Sequence, residues 1–437
     1  MIQPSTVEQS IGLSTFYTSN PGIKGLLRYQ PEDFIVTEES TDFPKDPNGR
    51  FLLIKVTAKN WETNDLIREF AKKLHISKKR ISFAGTKDKR AITTQLLCLY
   101  NISKEKINTV SIPDVKFTIL YHTKKRLHIG DLKGNAFTII IRNVPSTIQQ
   151  QDLDELIHPF QSMNGFPNFF GVQRFGGIRP ITHKVGRAMV SADFKKAVHI
   201  YLTELSEFEG EDATIARREL TESLDYKTGF HTFPKRLRFE KIMLQHLTNN
   251  PIDYPGALQK LPKNLLTMFV YAFQSYLFNR MLSTRIKNKI PIHQAIKGDV
   301  ILPVTHDGVD INPISVSDQN LDKVNQQIKR GKALVSCIVP GSESTYALGK
   351  MGKIQQQIIK EEQVDIRDFI IPEIPAASSY GTYRTLLSKI SDVSASIGKD
   401  EFHHNHQKVT LSFSLLKGSY ATSFLREIMK LNDITKY

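Results

Sequence analysis

The sequence predicts a protein of both helices and strands, in which a helix-rich domain is inserted into a strand-rich one. Short runs of β-branched and aromatic residues, typical of strands, dominate residues 33–144 and return near the C-terminus. Residues 184–286 instead show mainly the helical spacing of apolar side chains. A chain of 437 residues is too long for one ordinary core and long enough for two or three domains.

The N-terminal strands surround one clear helix. The strand runs, in order, are DFIVTEE, RFLLIKVTAK, TTQLLCLY, KFTILY and NAFTIIIRNV. Between the second and third runs, apolar residues recur at helical spacing from Leu66 to Leu74, which predicts a helix over residues 64–74. Thr63 stands directly before this helix and is predicted to cap its N-terminus.

The middle and the end of the chain differ in the same way. The run NLLTMFVYAFQSYLFNRML, which ends at Leu282, is apolar on most faces and predicts a buried helix. ALVSCIVPG predicts a strand that ends in a turn. Alternation from Val409 to Leu415 predicts a half-buried strand, and ATSFLREIMKL predicts a closing helix.

The charge balance points to a polyanionic partner. Lys and Arg outnumber Asp and Glu by 59 to 44, which gives a net charge of +15 and a pI near 9.5. Nucleic acid is the simplest such partner. A membrane surface is the competing partner, but we find no basic amphipathic helix, lipid-anchor motif or signal peptide, and the longest apolar run is too short to span a bilayer.

The two cysteines, Cys98 and Cys337, each lie within an apolar segment. They are expected to be buried, reduced thiols in a cytoplasmic protein, and they assemble no zinc ligand set. The histidines of EFHHNHQK, residues 401–408, are interpreted as a solvated loop and not as a metal site.

Chemistry is suggested most strongly by the string FAGTKDKRAITTQ, which runs from Phe83 to Gln95. A single carboxylate, Asp88, lies there among Lys87, Lys89 and Arg90. The bases indicate a polyanion, and because they favour the ionised carboxylate, Asp88 suits a nucleophile better than a general acid. Without further support, an exposed Asp in a solvated turn would be the ordinary interpretation.

Several basic side chains of this region are candidates for binding phosphate groups. From residue 72 to residue 90 the chain carries eight basic residues and one acidic residue. The candidates for phosphate contact are Lys79, Arg80, Lys87, Lys89 and Arg90. Affinity that depends on them is expected to fall steeply with salt.

The Phe83–Gln95 string resembles the signature AGxKDkxAxTxQ of the TruD family of RNA pseudouridine synthases. In that family the Asp of the pattern is the catalytic residue, and it falls on Asp88. Further family motifs are similar to GLLRYQPEDFIVTE, GDLKGNAFTIIIR, GFPNFFGVQRFGG, YAFQSYLFNR and LKGSYATSFLREIM, in the family's order. Together the matches extend from Gly25 to Met429 and cover nearly the whole chain.

The resemblance implies three residues beside Asp88. A basic residue shortly before PEDF pairs with the catalytic Asp, and Arg28 takes that place, with Lys24 as the alternative. Bacterial relatives often carry Lys there, and Arg keeps the charge without being equivalent. Asn135 falls on an active-site Asn. Phe137 falls on a Phe near the target base, where an aromatic ring replaces the stacking that a flipped base loses.

The motif GFPNFFGVQRFGG has two interpretations that do not exclude each other. Interleaved aromatic, amide and guanidinium groups are suited to bind a nucleobase edge and a phosphate. The same segment is also suited to join two domains. The RNA-binding candidates here are Asn168, Phe170, Gln173 and Arg174.

The fold that the resemblance implies is α+β. A pseudouridine synthase catalytic domain with a mixed, largely antiparallel sheet is expected from residues 1–165 and 385–437. An inserted α/β TRUD-specific domain is expected from residues 166–384, with RNA in a basic cleft where the two meet. We expect a monomer.

The implied activity is isomerisation of uridine to pseudouridine in tRNA, first at position 13, with position 35 and other RNAs left open. Asp88 would attack C6 of a flipped base or C1′ of its ribose, and the group that deprotonates C5 is also left open. The reaction requires no cofactor and no metal.

Two other classes remain: a catalytically silent RNA-binding protein on the same scaffold, and another RNA enzyme such as a nuclease. A nuclease usually needs clustered carboxylates for metal or a His pair, and Asp88 has no acidic neighbour in its motif.

Overall fold

The computed structural model describes residues 2–305, 308–433 and 436, and within them the chain forms two units. The large-sheet unit comprises Asn20–Phe166 and Ser388–Leu431. The inserted unit comprises Pro167–Leu387 together with the N-terminal segment that ends at Ser19. The sequence predicts the domain boundaries at 165/166 and 384/385.

The strands of the described residues form two sheets: β1–β7, β13 and β14 form the first, and β8–β12 form the second. They are β1 (Phe34–Ser40), β2 (Phe51–Lys59), β3 (Ile81–Phe83), β4 (Ile92–Tyr100), β5 (Val115–Thr123), β6 (Leu132–Pro145), β7 (Gly165–Pro167), β8 (Val300–Thr305), β9 (Gly308–Val309), β10 (Ile314–Ser315), β11 (Ala333–Val339), β12 (Thr382–Thr385), β13 (Leu387–Lys399) and β14 (His406–Leu416).

The α-helices of the described residues are concentrated in the middle of the chain. They are α1 (Thr6–Ser10), α2 (Thr63–Lys73), α3 (Lys104–Asn108), α4 (Gln150–Ser162), α5 (Thr182–Val190), α6 (Phe194–Thr203), α7 (Glu211–Ser223), α8 (Tyr226–Thr232), α9 (Arg238–Asn249), α10 (Tyr254–Gln259), α11 (Lys263–Lys287), α12 (Leu321–Lys329), α13 (Gly349–Glu361) and α14 (Ala421–Met429).

The sheet of the first unit is mixed and largely antiparallel, as expected for the α+β class. Its strand order in the described residues is β5-β2-β4-β1-β6-β14-β13-β7, and β3 also pairs with β4. Strands β1 and β4 run parallel, whereas β2, β3, β5, β6, β13 and β14 pair antiparallel with their neighbours. The expectation of an α+β fold is confirmed.

A gap in the hydrogen-bond ladder of β4 positions the candidate chemistry. On the side of β4 away from β2, β1 pairs with Ile92–Thr94 and β3 pairs with Leu97–Leu99. The amide of Leu96 falls between these two partners and donates instead to the Glu38 Oε1 atom over 3.2 Å. The segment between β3 and β4, which carries Asp88, therefore leaves the sheet beside this gap.

Helix α2 covers one face of the sheet and agrees with the predicted helix to within one residue at each end. Its buried residues, among them Phe70, pack against Leu52, Ile54 and Leu97. The predicted cap is wrong, because Glu62 is the N-cap and its carboxylate accepts from the amides of the next turn. The Thr63 hydroxyl is thereby left to accept a hydrogen bond from another segment.

The inserted unit packs around helix α11, which is 25 residues long and is buried on most faces. Its sheet has the strand order β10-β8-β11-β12 in the described residues, and β9 pairs with β8. The sequence groups the first 19 residues with the large sheet, but the structure groups them with α11. The reason is a set of buried hydrogen bonds: Asn279 donates to the carbonyl of Ile11, and the Ser283 hydroxyl donates to the carbonyl of Gly12.

Candidate active site

The turn that carries Asp88 is fixed through its neighbour Lys87. The Lys87 amide donates to the Thr63 hydroxyl over 2.7 Å, and its ammonium lies 2.8 Å from the Glu38 carboxylate. The side chains of Lys87 and Glu38 are only 5% and 1% exposed. Asp88 itself is 55% exposed, so a buried ion pair anchors a carboxylate that faces solvent.

Arg28 forms an ion pair with Asp88. One Arg28 Nη atom lies 2.6 Å from an Asp88 carboxylate oxygen, and the guanidinium stacks over the ring of Phe34 at 4.3 Å. The Arg28 backbone has φ of 53°, a left-handed conformation that its surroundings must hold. The alternative partner, Lys24, is engaged elsewhere and donates to the carbonyl of Lys430.

The loop that carries Arg28 is tied to the sheet by a buried cation. Arg142 donates to both carboxylate oxygens of Asp33 over 2.9 Å and reaches Asp400 over 3.1 Å. Burial of Arg142 opposes its charge, but the three carboxylates around it outweigh burial and raise its pKa. Burial also opposes the Asp400 anion, yet hydrogen bonds from backbone amides, His403 and Arg142 hold the pKa of Asp400 well below its usual range.

Phe137 and Asn135 lie on the same sheet face. In the register, Phe137 is opposite Val36 on β1 and Phe413 on β14, and Asn135 is opposite Glu38 on β1. Directly opposite residues project to the same face, and alternate residues of one strand share it. Phe137 stacks on Phe413 with centroids 5.2 Å apart and remains half-buried.

Unpartnered polar atoms are concentrated at this face. Six buried side-chain nitrogen or oxygen atoms of the described residues have no hydrogen-bond partner, and four of them belong to Arg28 (Nε), Asn135 (Oδ1) and Gln95 (Nε2 and Oε1). Gln95 lies two residues after Thr93, which is opposite Val36, so it faces the same way. Buried polar atoms are normally paired, so these atoms are candidates to meet a ligand.

Sequence reasoning did not assign Gln95 or Glu38 to the site. Gln95 appeared only as the last letter of the Phe83–Gln95 string, and Glu38 only as the end of PEDFIVTE. The signal available was therefore their place in the two motifs. Their contacts depend on the pairing of β1 with β4, which the sequence alone does not reveal.

The predicted phosphate-binding residues of this unit fall into two groups. Lys79, Lys89 and Arg90 are exposed, and Arg90 also donates to the carbonyl of Arg28 over 3.1 Å. Lys87 is instead buried against Glu38, away from any phosphate at the surface. The Arg80 guanidinium is half-buried and donates to the backbone carbonyls that end β4, so its position is structural.

The four candidates of the GFPNFFGVQRFGG motif lie in the inserted unit. Asn168 is buried; its side-chain nitrogen donates to the carbonyl of Thr385 and its Oδ1 atom accepts from Arg384, so both of its polar groups are used within this unit. Phe170 is buried, with the Arg384 guanidinium 4.0 Å above its ring. Gln173 is exposed, and Arg174 is half-buried with its Nε atom 3.3 Å from a Ser hydroxyl.

The histidine-rich loop has a structural contact. His403 lies 2.9 Å from Asp400 and edge-on to the ring of Tyr29. In the part of the chain that the structure describes, no group of three or more His, Cys, Asp or Glu residues has a metal-binding arrangement. No helix of the described ranges is long and apolar enough to cross a membrane.

Comparisons with known proteins agree with the motif resemblance. The sequence model of the family described as tRNA pseudouridine synthase D (TruD) matches residues 10–428. A protein of Methanosarcina acetivorans named probable tRNA pseudouridine synthase D is 39% identical over 432 residues, 98% of each chain. A protein of the same name from Archaeoglobus fulgidus is 36% identical over 426 residues, 97% of this chain and 99% of its own length.

A solved structure is similar over the whole chain. It is the crystal structure of a putative tRNA pseudouridine synthase D from Methanosarcina mazei, with a TM-score of 0.93 and 36% sequence identity. The match covers 99% of this chain and 100% of the other. The fold and the order of its elements are therefore those of that protein.

Proposed function

The chain belongs to the TruD family of tRNA pseudouridine synthases, and on that premise we propose that it isomerises a uridine of tRNA to pseudouridine. We propose position 13 as the first target to test. The observation that carries the proposal is the Arg28–Asp88 ion pair on a motif match that spans the chain. An exposed carboxylate held by a guanidinium, near a half-buried aromatic ring and unpartnered polar atoms, suits attack on a flipped base.

In the proposed reaction Asp88 is the nucleophile. Its carboxylate attacks C1′ of the ribose or C6 of the uracil, and the N1–C1′ bond breaks. The uracil turns in place, C5 forms a bond to C1′, and the bond to Asp88 breaks again. C5 loses its proton and N1 gains one, so the product has the same atoms as the substrate. This balance requires no redox cofactor and no energy source.

Arg28 and Phe137 have distinct proposed tasks. Arg28 holds the Asp88 carboxylate in place for attack through the charge-assisted hydrogen bond between them, in which an Nη atom lies 2.6 Å from a carboxylate oxygen. Phe137 provides an aromatic surface for the flipped base. A Phe has no basic atom, so water or the released Asp88 takes the C5 proton. Asn135, with its unpartnered Oδ1 atom on the same face, is proposed to hydrogen-bond the base.

The proposed RNA contacts omit four residues of the set that the sequence suggests: Arg80, Lys87, Asn168 and Phe170. Lys79, Lys89 and Arg90 are exposed and are proposed to bind phosphates, together with Gln173 and Arg174 of the inserted unit. For Lys87 and Arg80 we propose positioning of the Asp88 turn and of β3 instead, because of their contacts with Glu38 and with backbone carbonyls.

The test is the reaction itself, followed on unmodified tRNA transcripts without added metal and again with a chelator. Pseudouridine is mapped by chemical probing for the unaltered protein, for Asp88→Asn, and for Asp154→Asn as a control that changes an exposed carboxylate on α4. We expect product with the unaltered protein and the control, and none with Asp88→Asn, which should still bind tRNA.

Other outcomes distinguish the remaining functions. Product from Asp88→Asn would contradict the nucleophile assignment. If Asp88→Asn loses both product formation and tRNA binding, Asp88 is assigned to folding or binding. Salt-sensitive RNA binding with no product on tRNA or total RNA would identify a silent RNA-binding protein. Loss of product with chelator would point to a metal-dependent enzyme.

A further inference from the structure

A second basic segment, which the sequence motifs do not include, lies beside the basic turn before Asp88. The 3-10 turn Lys78–Arg80 and the loop between β5 and β6 each carry several cations. We call the combined surface the basic rim, and it comprises Lys78, Lys79, Lys124, Lys125, Arg126, His128, Lys133 and Lys417.

Hydrogen bonds hold the parts of the basic rim together. An Arg126 Nη atom donates to the carbonyl of Lys79 over 3.1 Å, which joins the β5–β6 loop to the 3-10 turn. The amide of Gly130 donates to the carbonyl of Ala84 over 2.8 Å, and Ala84 begins the motif that carries Asp88. The Lys417 ammonium, just after β14, donates to the carbonyl of Gly130 over 3.0 Å.

The backbone of the β5–β6 loop is fixed although its cationic side chains are exposed. Leu127 is fully buried in a cluster with Ala84 and anchors the middle of the loop. The amide of His128 donates to the Asp131 carboxylate over 2.8 Å. A fixed backbone lowers the conformational entropy that is lost when such side chains bind a ligand.

Positive charge dominates the basic rim. It has seven Lys and Arg side chains, whereas the acids of the described residues in contact with it are Asp42, Asp46 and Asp131. The Lys124–Asp46 pair has a lysine that is 74% exposed, and Lys133 lies 3.7 Å from a fully exposed Asp42. Exposed pairs of this kind contribute little to stability, so an external anion competes with them readily.

The basic rim lies at the end of the sheet where the candidate site lies. Leu132, the first residue of β6, is opposite Ser40, and Asn135 is opposite Glu38. Three residues of a strand span about 10 Å. On the other side of β6, Leu415 is opposite Asn135, and Lys417 follows two residues later. The cations therefore lie within the length of a few nucleotides of the base that is proposed to stack on Phe137.

We propose that the basic rim binds the phosphate backbone of tRNA outside the target nucleotide. Its task is to add affinity and to orient the RNA, and it takes no part in the chemical step. The proposal rests on the proposed function for the identity of the polyanion, but binding at the basic rim is measured without reference to catalysis.

The experiment removes two exposed lysines of the rim by the double substitution Lys124→Ala and Lys125→Ala. The matched control is Lys55→Ala with Lys116→Ala, which removes one exposed lysine of β2 and one at the opposite end of β5. Both variants lose the same net charge from the same unit. The tRNA dissociation constant is measured over a range of salt concentrations, together with KM and kcat for pseudouridine formation.

We expect the rim variant to bind tRNA about tenfold or more weakly at low salt, with a raised KM and an unchanged kcat. The slope of log affinity against log salt should become shallower by about 0.7 to 0.9 for each phosphate that is no longer bound. The control should keep the slope and the affinity of the unaltered protein, because its lysines lie away from the β5–β6 loop.

Three outcomes would overturn the proposal. Equally weakened tRNA binding in both variants would show an effect of net charge alone. An unchanged slope of log affinity against log salt in the rim variant would show that its lysines do not contact phosphate. Binding to anionic lipid vesicles that only the rim variant loses, with tRNA binding intact, would assign the surface to lipid. Failure of the proposed function is distinguishable, since the unaltered protein would then form no pseudouridine whatever the slopes show.

Discussion

At the scale of single residues, the Asp88 carboxylate is held by contacts from three separate parts of the chain. Arg28 binds the carboxylate from the loop before β1. The neighbouring Lys87 anchors the turn to Glu38 of β1, and the Thr63 hydroxyl at the start of α2 accepts a hydrogen bond from the Lys87 amide. The proposed nucleophile faces solvent and needs such support, because its own exposed side chain provides little packing. Substitution of the supporting residues should therefore affect the chemical step.

Arg28 offers one test of this arrangement. Arg28→Ala is expected to lower kcat by roughly 10- to 100-fold, because a hydrogen bond between charged groups contributes about 1.5–3 kcal/mol. Arg28→Lys keeps a cation but not the flat guanidinium over Phe34, so an intermediate kcat is expected. The measurement is single-turnover kinetics with saturating tRNA.

The control for Arg28 is Arg68→Ala, which removes an arginine that is 67% exposed and pairs with Asp65 on α2. It should leave kcat unchanged. A full kcat in Arg28→Ala would remove Arg28 from the mechanism, and a raised tRNA dissociation constant with unchanged kcat would make it an RNA-binding residue.

The buried Glu38–Lys87 pair offers a second test, of stability. Glu38→Gln leaves an uncompensated ammonium in the interior and should lower the free energy of unfolding by about 3–5 kcal/mol. The double substitution with Lys87→Met removes both charges and should recover most of that loss, while the glutamine amide oxygen can still accept from the Leu96 amide. Urea denaturation measures both values, and additive losses in the double variant would show that the two charges are not coupled.

At the scale of elements, distant loops are joined by buried charge. Arg142 on β6 binds Asp33, in the 3-10 turn before β1, and Asp400, in the connection between β13 and β14. The turn at Asp33 leads directly to the loop of Arg28, and Tyr29 packs on Phe402 of the same connection. The C-terminal strands therefore help to fix the N-terminal loop that holds Asp88.

The pH dependence of stability should show this network. The pKa of Asp400 is lower in the folded state than in the unfolded state, so its stabilising contribution is complete above the unfolded value of about 3.9 and is lost as pH falls towards the folded value. Asp400→Asn should lower the free energy of unfolding by about 2 kcal/mol at neutral pH.

The difference between the unaltered protein and Asp400→Asn should stay constant above about pH 5 and narrow below about pH 4. Urea denaturation at several pH values measures it, and Asp154→Asn is the control for loss of an exposed carboxylate on α4. A difference that is the same at every pH would show that the Asp400 charge is not what stabilises the loop.

At the scale of the whole molecule, each unit contains one buried cysteine. Cys98 lies on β4 of the large-sheet unit and Cys337 on β11 of the inserted unit, and both are free thiols. Burial raises the pKa of Cys98 and raises that of Cys337 to about 12. Each thiol is therefore unreactive until its own unit opens.

Thiol labelling should report the opening of each unit separately. In native buffer, an aromatic disulfide reagent should modify neither thiol at the rate of an exposed cysteine, and urea should accelerate both. In Cys98→Ala the remaining thiol, Cys337, reports only on the inserted unit. In Cys337→Ala the remaining thiol, Cys98, reports only on the large-sheet unit. Rapid labelling of either variant without urea would contradict the burial of that thiol.

Much of the secondary structure followed from local pattern. Helical spacing from Leu66 to Leu74 predicted α2, because an amphipathic helix repeats its apolar residues about every 3.6 positions. The long apolar run that ends at Leu282 predicted α11, because a buried helix is apolar on most faces. The same reasoning missed the cap at Glu62. Thr63 is the commoner capping type, but its hydroxyl is used by Lys87, a partner 24 residues away.

The sequence named the candidate residues of the site but predicted only part of their arrangement. The motif string identified Asp88, and the resemblance supplied Arg28, Asn135 and Phe137, whose roles remain proposals. The burial of Lys87 was not predictable from its basic neighbours, because charge composition favours exposure unless a buried acid is known to be adjacent.

The sequence by itself determined the family, the class of fold and the residue expected to act as nucleophile, since these depend on residue types at fixed spacing. The tertiary structure decided which cation binds Asp88, which lysine is buried and how Lys79 comes to lie beside Arg126. Those contacts join segments between 47 and 60 residues apart. They follow from strand order and register, which the chain sets only when its elements pack together.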